Sequence, residues 1–324
     1  MSTPLRVGVV GVGHLGIRHA QIFASLPRVR LVAVCDRDAD RAKSLAGTLG
    51  CRAVTDHRAL IGEVDAATVA VPTSAHAEVG LDLLEGGVHL LIEKPLSTTL
   101  AESDALIRTA RRRRRLLQVG HVERFNAAIH AALKHVSAPR FIEVHRLSPY
   151  PNRGTDVSVV LDVMIHDLDM LLALVRSRVR RLEAVGVRVL SPSEDIVNAR
   201  LSFASGCIAN VTASRISDAT IRRIRVFQDD RYLSIDYQAQ TVELARKTGG
   251  AIRRVALPVN RRPPLEVELA AFARAVATRR PPIVPGEDGR AALALALRIE
   301  DAVRRSSPSS GNSRRVTRNV KRVT

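Results

Sequence analysis

Residues 7–16, VGVVGVGHLG, decide how the chain is read. A short apolar run, Leu5 to Val10, leads into Gly11-Val12-Gly13-His14-Leu15-Gly16, and Ile17 to Leu26 continues as a helix. A G-x-G-x-x-G spacing between strand and helix is a phosphate-binding turn. Gly11 permits the tight turn, Gly13 lets the backbone approach a pyrophosphate, and Gly16 lets helix and strand pack closely. The free N–H groups of the helix beginning near His14 would receive the pyrophosphate. A second strand, Arg30 to Cys35, ends at Asp36, twenty residues beyond Gly16. A carboxylate there accepts hydrogen bonds from the adenosine ribose hydroxyls and repels a 2′-phosphate. The stretch therefore predicts a dinucleotide site that takes NAD. Arg37, next to Asp36, softens the discrimination against NADP.

Outward from this stretch, strands and helices alternate. Asp38 caps a helix through Leu49, and Cys51 to Val54 is a short strand. Asp65 to Val71 is nearly all apolar, as a parallel strand covered on both faces should be. It ends at Pro72-Thr73. His76 opens the next helix, which Gly86-Gly87 closes. Val88 to Ile92 is followed by Glu93-Lys94-Pro95, where Pro95 suits a cis bond. Thr99 and Glu102 form a capping box, and the helix runs to the cluster Arg111 to Arg115. Leu116 to Gly120 is a sixth strand. The alternation predicts an α/β fold, a doubly wound parallel Rossmann sheet over residues 1–121.

After His121 the pattern changes. Val122 to Val136 reads as helix and Phe141 to Leu147 as strand. Val157 to Val175 is apolar and too long for an ordinary strand, although its first residues alternate like one. Seven strands follow between Leu182 and Leu257, with hairpin turns at Ser205-Gly206 and Asp229-Asp230. Leu265 to Thr278 and Asp288 to Val303 return to helix. The expected second domain, residues 122–305, is α+β with a large, mostly antiparallel open sheet.

Composition narrows the function. The chain has 324 residues, 46% of them hydrophobic, no Trp and only 3% aromatics, so aliphatic side chains must fill two cores. No apolar run reaches the length of a membrane span. The first strand starts too early for a signal peptide, and three scattered cysteines, Cys35, Cys51 and Cys207, suit a reducing compartment; both point to the cytoplasm. The formal charge of +18 is concentrated in Arg111 to Arg115 and in a basic tail, residues 306–324, whose composition predicts disorder. No nucleic-acid motif accompanies either, so a specific nucleic-acid partner is not expected.

Three side chains carry the chemistry. Asp162 and His166 are four apart and share one face if their segment is helical. A carboxylate beside an imidazole orients the ring and raises its pKa, as an alcohol-deprotonating base requires. Lys94 emerges at the carboxyl edge of the sheet, where ligands bind. A surface lysine in a loop would read the same way in isolation. His121, Glu123, His166 and Asp167 lack a compact metal-binding spacing, so no metal is expected. His19 reads as a packed or hydrogen-bonded histidine.

The set GVGHLG with Asp36, VPTSAH at 71–76, EKP at 93–95 and D-x-x-x-H at 162–166 resembles the Gfo/Idh/MocA oxidoreductases. That resemblance implies a Rossmann domain followed by an open-sheet domain that forms a dimer or tetramer. It implies that Lys94, Asp162 and His166 meet at the nicotinamide as hydroxyl-orienting group, partner and acid/base. It also implies cofactor contacts from Gly11, Gly13, His14, Leu15, Gly16, Asp36, Arg37, Pro72, Thr73, His76, Glu93 and Lys94. GHVERFN at 120–126 and DVSVVLDVMIHDLD at 156–169 resemble the bacterial UDP-N-acetylglucosamine 3-dehydrogenases, apart from Ala127 where proline is common. The implied substrate is a nucleotide sugar oxidised at C3 for lipid A synthesis. Candidate substrate contacts are Lys94, Arg124, Asn126, Arg153, Asp162 and His166. Two alternatives stay open: a dehydrogenase of another sugar or cyclitol, and an NAD(H)-binding regulator without turnover.

Overall fold

A computed structural model describes residues 3–150 and 157–306. Arg153 and the tail beyond 306 lie outside the described residues. Six strands form the first sheet: β1 (Leu5–Val10), β2 (Val29–Cys35), β3 (Arg52–Val54), β4 (Ala66–Val69), β5 (His89–Glu93) and β6 (Leu117–Gly120). They are all parallel, in the order β3-β2-β1-β4-β5-β6. The order reverses between β1 and β4, the switch point at which such sheets open a crevice. Helices α1 (His14–Ser25), α2 (Ala39–Leu49), α3 (His76–Glu85) and α4 (Leu100–Arg113) connect the strands. Asp38 caps α2, and Thr99 with Glu102 closes the capping box of α4. The arginines at the end of α4 are paired with acids: Arg112 and Arg113 with Glu85, Arg111 with Glu287.

The chain then crosses to a second sheet. Val122 to Val136 does not form one helix. A 3₁₀ turn, Val122–Phe125, ends at Asn126, whose side chain accepts the Ala128 N–H at 3.1 Å and starts α5 (Ala127–Leu133). The cap is the physical reason for the break. After β7 (Phe141–Leu147), the apolar segment is helical as length predicted, but it begins with a π turn, Val160–Met164, before α6 (Ile165–Val175). Seven further strands follow: β8 (Val179–Val187), β9 (Ile196–Phe203), β10 (Ile208–Ser214), β11 (Ile221–Phe227), β12 (Arg231–Asp236), β13 (Thr241–Thr248) and β14 (Ala251–Ala256). The sheet order is β14-β13-β12-β11-β7-β10-β9-β8, antiparallel throughout except for β7 beside β10.

The last two helices are α7 (Pro264–Thr278) and α8 (Gly286–Ser306). α8 packs with α6 over the second sheet, where Ala292, Leu295, Ile299 and Val303 join its core. α7 goes back to the first sheet. Leu269, Phe272 and Val276 fill the core made by Val7, Val9, Phe23 and Leu91. No helix among the described residues is long and apolar enough to cross a membrane.

One buried ionic cluster fixes the start of α6 to the second sheet. Arg146 on β7 donates to Asp167 at 2.8 and 3.2 Å and to Glu123 at 3.1 Å. Tyr237 donates to Asp167 at 2.6 Å, and Asn126 bridges Glu123 and the Tyr237 carbonyl. Asp167 is fully buried, and the arginine is 6% exposed. Removing the cation would leave two carboxylates in an apolar interior, so Arg146→Met is expected to cost about 3–5 kcal/mol. Urea unfolding of parent and variant measures it.

Candidate active site

The fingerprint folds as its spacing demands. Gly11 has φ +84°, in the left-handed region. A Cβ on Gly16 would lie 1.7 Å from the Gly11 carbonyl oxygen, which excludes any side chain there. A Cβ on Gly13 would meet nothing within 4 Å, so this backbone is open to an incoming group. Asp36 reaches across from the end of β2: its carboxylate accepts the Val12 N–H at 2.8 Å and the Asp38 N–H at 3.0 Å. Gly11, Gly13 and Asp36 line a cleft of about 710 Å³ with Cys35, Arg37, Val71, Pro72 and Ala75, whereas Gly16, expected as a cofactor contact, packs against the Gly11 carbonyl and does not line it. A cleft with an open glycine backbone at one end and a carboxylate at the other fits the adenosine diphosphate half of NAD.

Some expected cofactor contacts lie elsewhere. His14 is exposed at the first position of α1, Leu15 is half-buried, and Thr73 sits in a short 3₁₀ turn; none of the three lines the cleft. His76 is buried, with Nδ1 2.9 Å from the Pro95 carbonyl and Nε2 2.9 Å from the Val71 carbonyl. It ties the loop after β4 to the loop after β5 and does not face the ligand space. Glu93 is also buried; its carboxylate lies 3.3 Å from His19 Nε2 and fills the space beside Gly120. The cleft has residues that sequence reasoning missed: Arg41, Thr55, Asp56, His57 and Arg58. Arg41 stands 3.6 Å from Asp36, and Arg58 pairs with Asp82. Their segments carry no motif, and only the fold gathers them.

Lys94 and Asp162 do meet. The Lys94–Pro95 peptide is cis, and the Lys94 ammonium donates to the Asp162 carboxylate at 3.0 Å and to the Asp162 backbone carbonyl at 2.7 Å. This joins the edge of the first sheet to the π turn of the second domain. π turns of this kind interrupt helices at functional sites. The pairing of Asp162 with His166 does not form: no hydrogen bond or ion pair links them, and Asp162 is held by Lys94. The π turn breaks the α spacing on which a four-residue contact depends. The expected rise in the His166 pKa is overturned as well. Burial pushes it well below the usual imidazole range, and Lys94, Arg146, His121 and Arg222 push the same way.

The remaining candidates have structural partners. Arg124 bonds Asp288 on α8 at 2.7 Å and lies 3.7 Å from buried Asp169. Asn126 caps α5 inside the ionic cluster. Neither is directed to Lys94. Glu123 and Asp167, weighed above as metal ligands, hold Arg146 instead. Among the described residues no group of three His, Cys, Asp or Glu is arranged for a metal.

The chain belongs to the Gfo/Idh/MocA oxidoreductases. Residues 5–121 match the oxidoreductase family with an NAD-binding Rossmann fold, and residues 108–233 match the GFO/IDH/MocA C-terminal domain. It is thus an NAD-binding oxidoreductase. The UDP-N-acetylglucosamine 3-dehydrogenase of Acidithiobacillus ferrooxidans is 38% identical over 310 residues, 92% of this chain and 97% of the relative. The solved structure of that enzyme superposes with a TM-score of 0.89, covering 93% of this chain and 98% of the other. The myo-inositol 2-dehydrogenase of Thermotoga maritima is 30% identical over 315 residues, 90% and 94% of the two chains.

Two measurements test the site. Asp36→Ser should lower kcat/KM for NAD about tenfold or more, the worth of a charge-assisted hydrogen bond of ~1.5–3 kcal/mol, and narrow the gap to NADP. Steady-state kinetics with both cofactors read the change. The second is the pH profile of oxidation. A base must be unprotonated, and the depressed His166 pKa keeps it so from about pH 6.5 upward. Oxidation by the parent should therefore be flat from about pH 6.5 to 8 and fall only at lower pH. His166→Ala should lose about 10²- to 10⁴-fold in kcat across that range.

Proposed function

We propose that this protein is an NAD-dependent dehydrogenase that oxidises a ring hydroxyl of a nucleotide sugar, with C3 of UDP-N-acetylglucosamine as the substrate position. The observation that carries the reading is the junction of Lys94 with Asp162, 3.0 Å apart, with His166 one turn further along. A cation, a carboxylate and a neutral imidazole stand where the carboxyl edge of the first sheet meets the second domain. Lys94 orients the reacting hydroxyl and stabilises negative charge developing on its oxygen. Asp162 holds the ammonium in place. His166 takes the hydroxyl proton. Bound NAD supplies the hydride acceptor.

The sugar is carried by likeness to the Acidithiobacillus enzyme across nearly the whole chain. On this reading the 3-keto product feeds an amination leading to lipid A with amide-linked chains, and the enzyme works in the cytoplasm. We place Lys94, Asp162 and His166 at the substrate and divide the chain near residue 121; the substrate side follows, except that residues 264–285 of the expected 122–305 unit return to the first sheet. Assembly as a dimer or tetramer is assigned to the second sheet. Its helices cover one face, and on the other Phe141, Phe227 and Tyr232 stack half-buried.

The test is a panel of nucleotide sugars and cyclitols with NAD, read by NADH absorbance. UDP-N-acetylglucosamine should give the highest kcat/KM. A cyclitol ahead of it would move the protein to the other dehydrogenase reading. Tight NADH binding with no turnover on any member would favour a regulator.

A further inference from the structure

The two nitrogens of His166 have different surroundings. Nδ1 is buried and has no hydrogen-bond partner, whereas Nε2 retains access to solvent. The neighbouring ring is His121, with centroids 6.2 Å apart and planes perpendicular. His121 is 1% exposed, and neither of its nitrogens has a partner. Protein interiors rarely leave three such nitrogens on adjoining rings unsatisfied. The ring separation is too long for a direct hydrogen bond. It suits one bridging water with two hydrogen bonds of about 2.8 Å each.

Burial first, and then the charges around the pair, decide its protonation. Lys94 from the loop after β5, Arg146 from β7 and Arg222 from β11 act on His166. Asp162 on its own segment is held by Lys94, and Asp167 by Arg146. His121 feels Lys94 and Arg124 against Glu93 and Asp288, and burial dominates, bringing its pKa down to about 3. His121 is therefore neutral at pH 7, with one nitrogen free to accept.

Resting on the dehydrogenase reading above, we infer that His121 is a positioning residue: through one bridging water it accepts the Nδ1–H of His166 and so fixes the tautomer whose Nε2 lone pair faces the substrate. The tautomer of an imidazole is set by the bond its other nitrogen makes. A carboxylate in this place would also raise the His166 pKa. A neutral imidazole orients the ring without that bias. During oxidation the hydroxyl proton binds Nε2 while the hydride leaves the same carbinol for NAD. Both His166 nitrogens then carry hydrogen, and His121 goes on accepting from Nδ1.

Nitrogen-15 NMR of the imidazoles, with His166 assigned by its loss in His166→Ala, reads the tautomer without any substrate. The NADH-bound parent should show His166 as the Nδ1–H form. His121→Phe keeps an aromatic ring but removes the acceptor. It should convert His166 mainly to Nε2–H and lower kcat about 10²-fold, with NADH affinity unchanged. His121→Asn is a poorer filler but keeps an acceptor, so it should retain the Nδ1–H form and most of the activity. A packing role predicts the reverse order, Phe above Asn, and that order overturns the inference. An Nε2–H tautomer in the parent overturns it on its own, whether or not the Phe variant folds. If no substrate turns over but the tautomer shifts in His121→Phe, the tautomer control stands and the dehydrogenase reading fails.

Discussion

The ion cluster of Arg146 with Asp167 and Glu123 is the contact on which the site depends. Asp167 follows His166 directly, so the arginine on β7 sets the height and rotation of α6 above its sheet. Glu123 lies just past the end of β6, so the same guanidinium grips the exit from the first sheet. Burying three charges is costly, and a hydrophobic substitute of the same shape would serve stability as well or better. What the ionic version supplies is direction. Bidentate bonds fix angles that apolar packing leaves adjustable.

The groups we propose as catalytic come from opposite sides of this junction. Lys94 is delivered by the first sheet, Asp162 and His166 by the segment over the second. Each side places its own group by ordinary means: a strand end for the lysine, a wide helical turn for the aspartate. The electrostatics are lopsided. Burial, reinforced by the cations Lys94, Arg146 and Arg222, holds the His166 imidazole neutral. Such a field favours an alkoxide-like oxygen over a protonated base, which suits the removal of a proton from an alcohol.

Much of this could be read from the sequence, and the limits have physical reasons. The fingerprint, Asp36, the capping box of α4 and the alternation of strands are local patterns, and local patterns survive without the fold. Lys94 and D-x-x-x-H were likewise visible as motifs. An α spacing would pair Asp162 with His166, but the backbone widens at Val160–Met164 and Lys94 takes the aspartate instead. Arg124, Asn126, Glu93 and His76 carry polar groups that look functional in a linear reading. Their partners are Asp288, Tyr237, His19 and two loop carbonyls, all but the Val71 carbonyl from distant segments. Arg146 gave no signal, since an arginine alternating along a strand reads as a solvated position. Its burial follows only from where Asp167 and Glu123 arrive.

The return of α7 to the first sheet makes the cofactor-binding unit discontinuous in sequence. Leu269 and Phe272 are part of its core, and the following segment continues onto β6, where Val284 accepts the Val119 N–H at 3.0 Å. A fragment ending at residue 121 would expose Val7, Val9 and Phe23 to water. Module exchange between relatives would therefore need two cuts, carrying residues 264–285 along with the N-terminal part. The same closure makes the chain a loop that leaves and re-enters one core. The second domain is in effect an insertion, clasped at both ends, and its freedom to swing as a whole is correspondingly small.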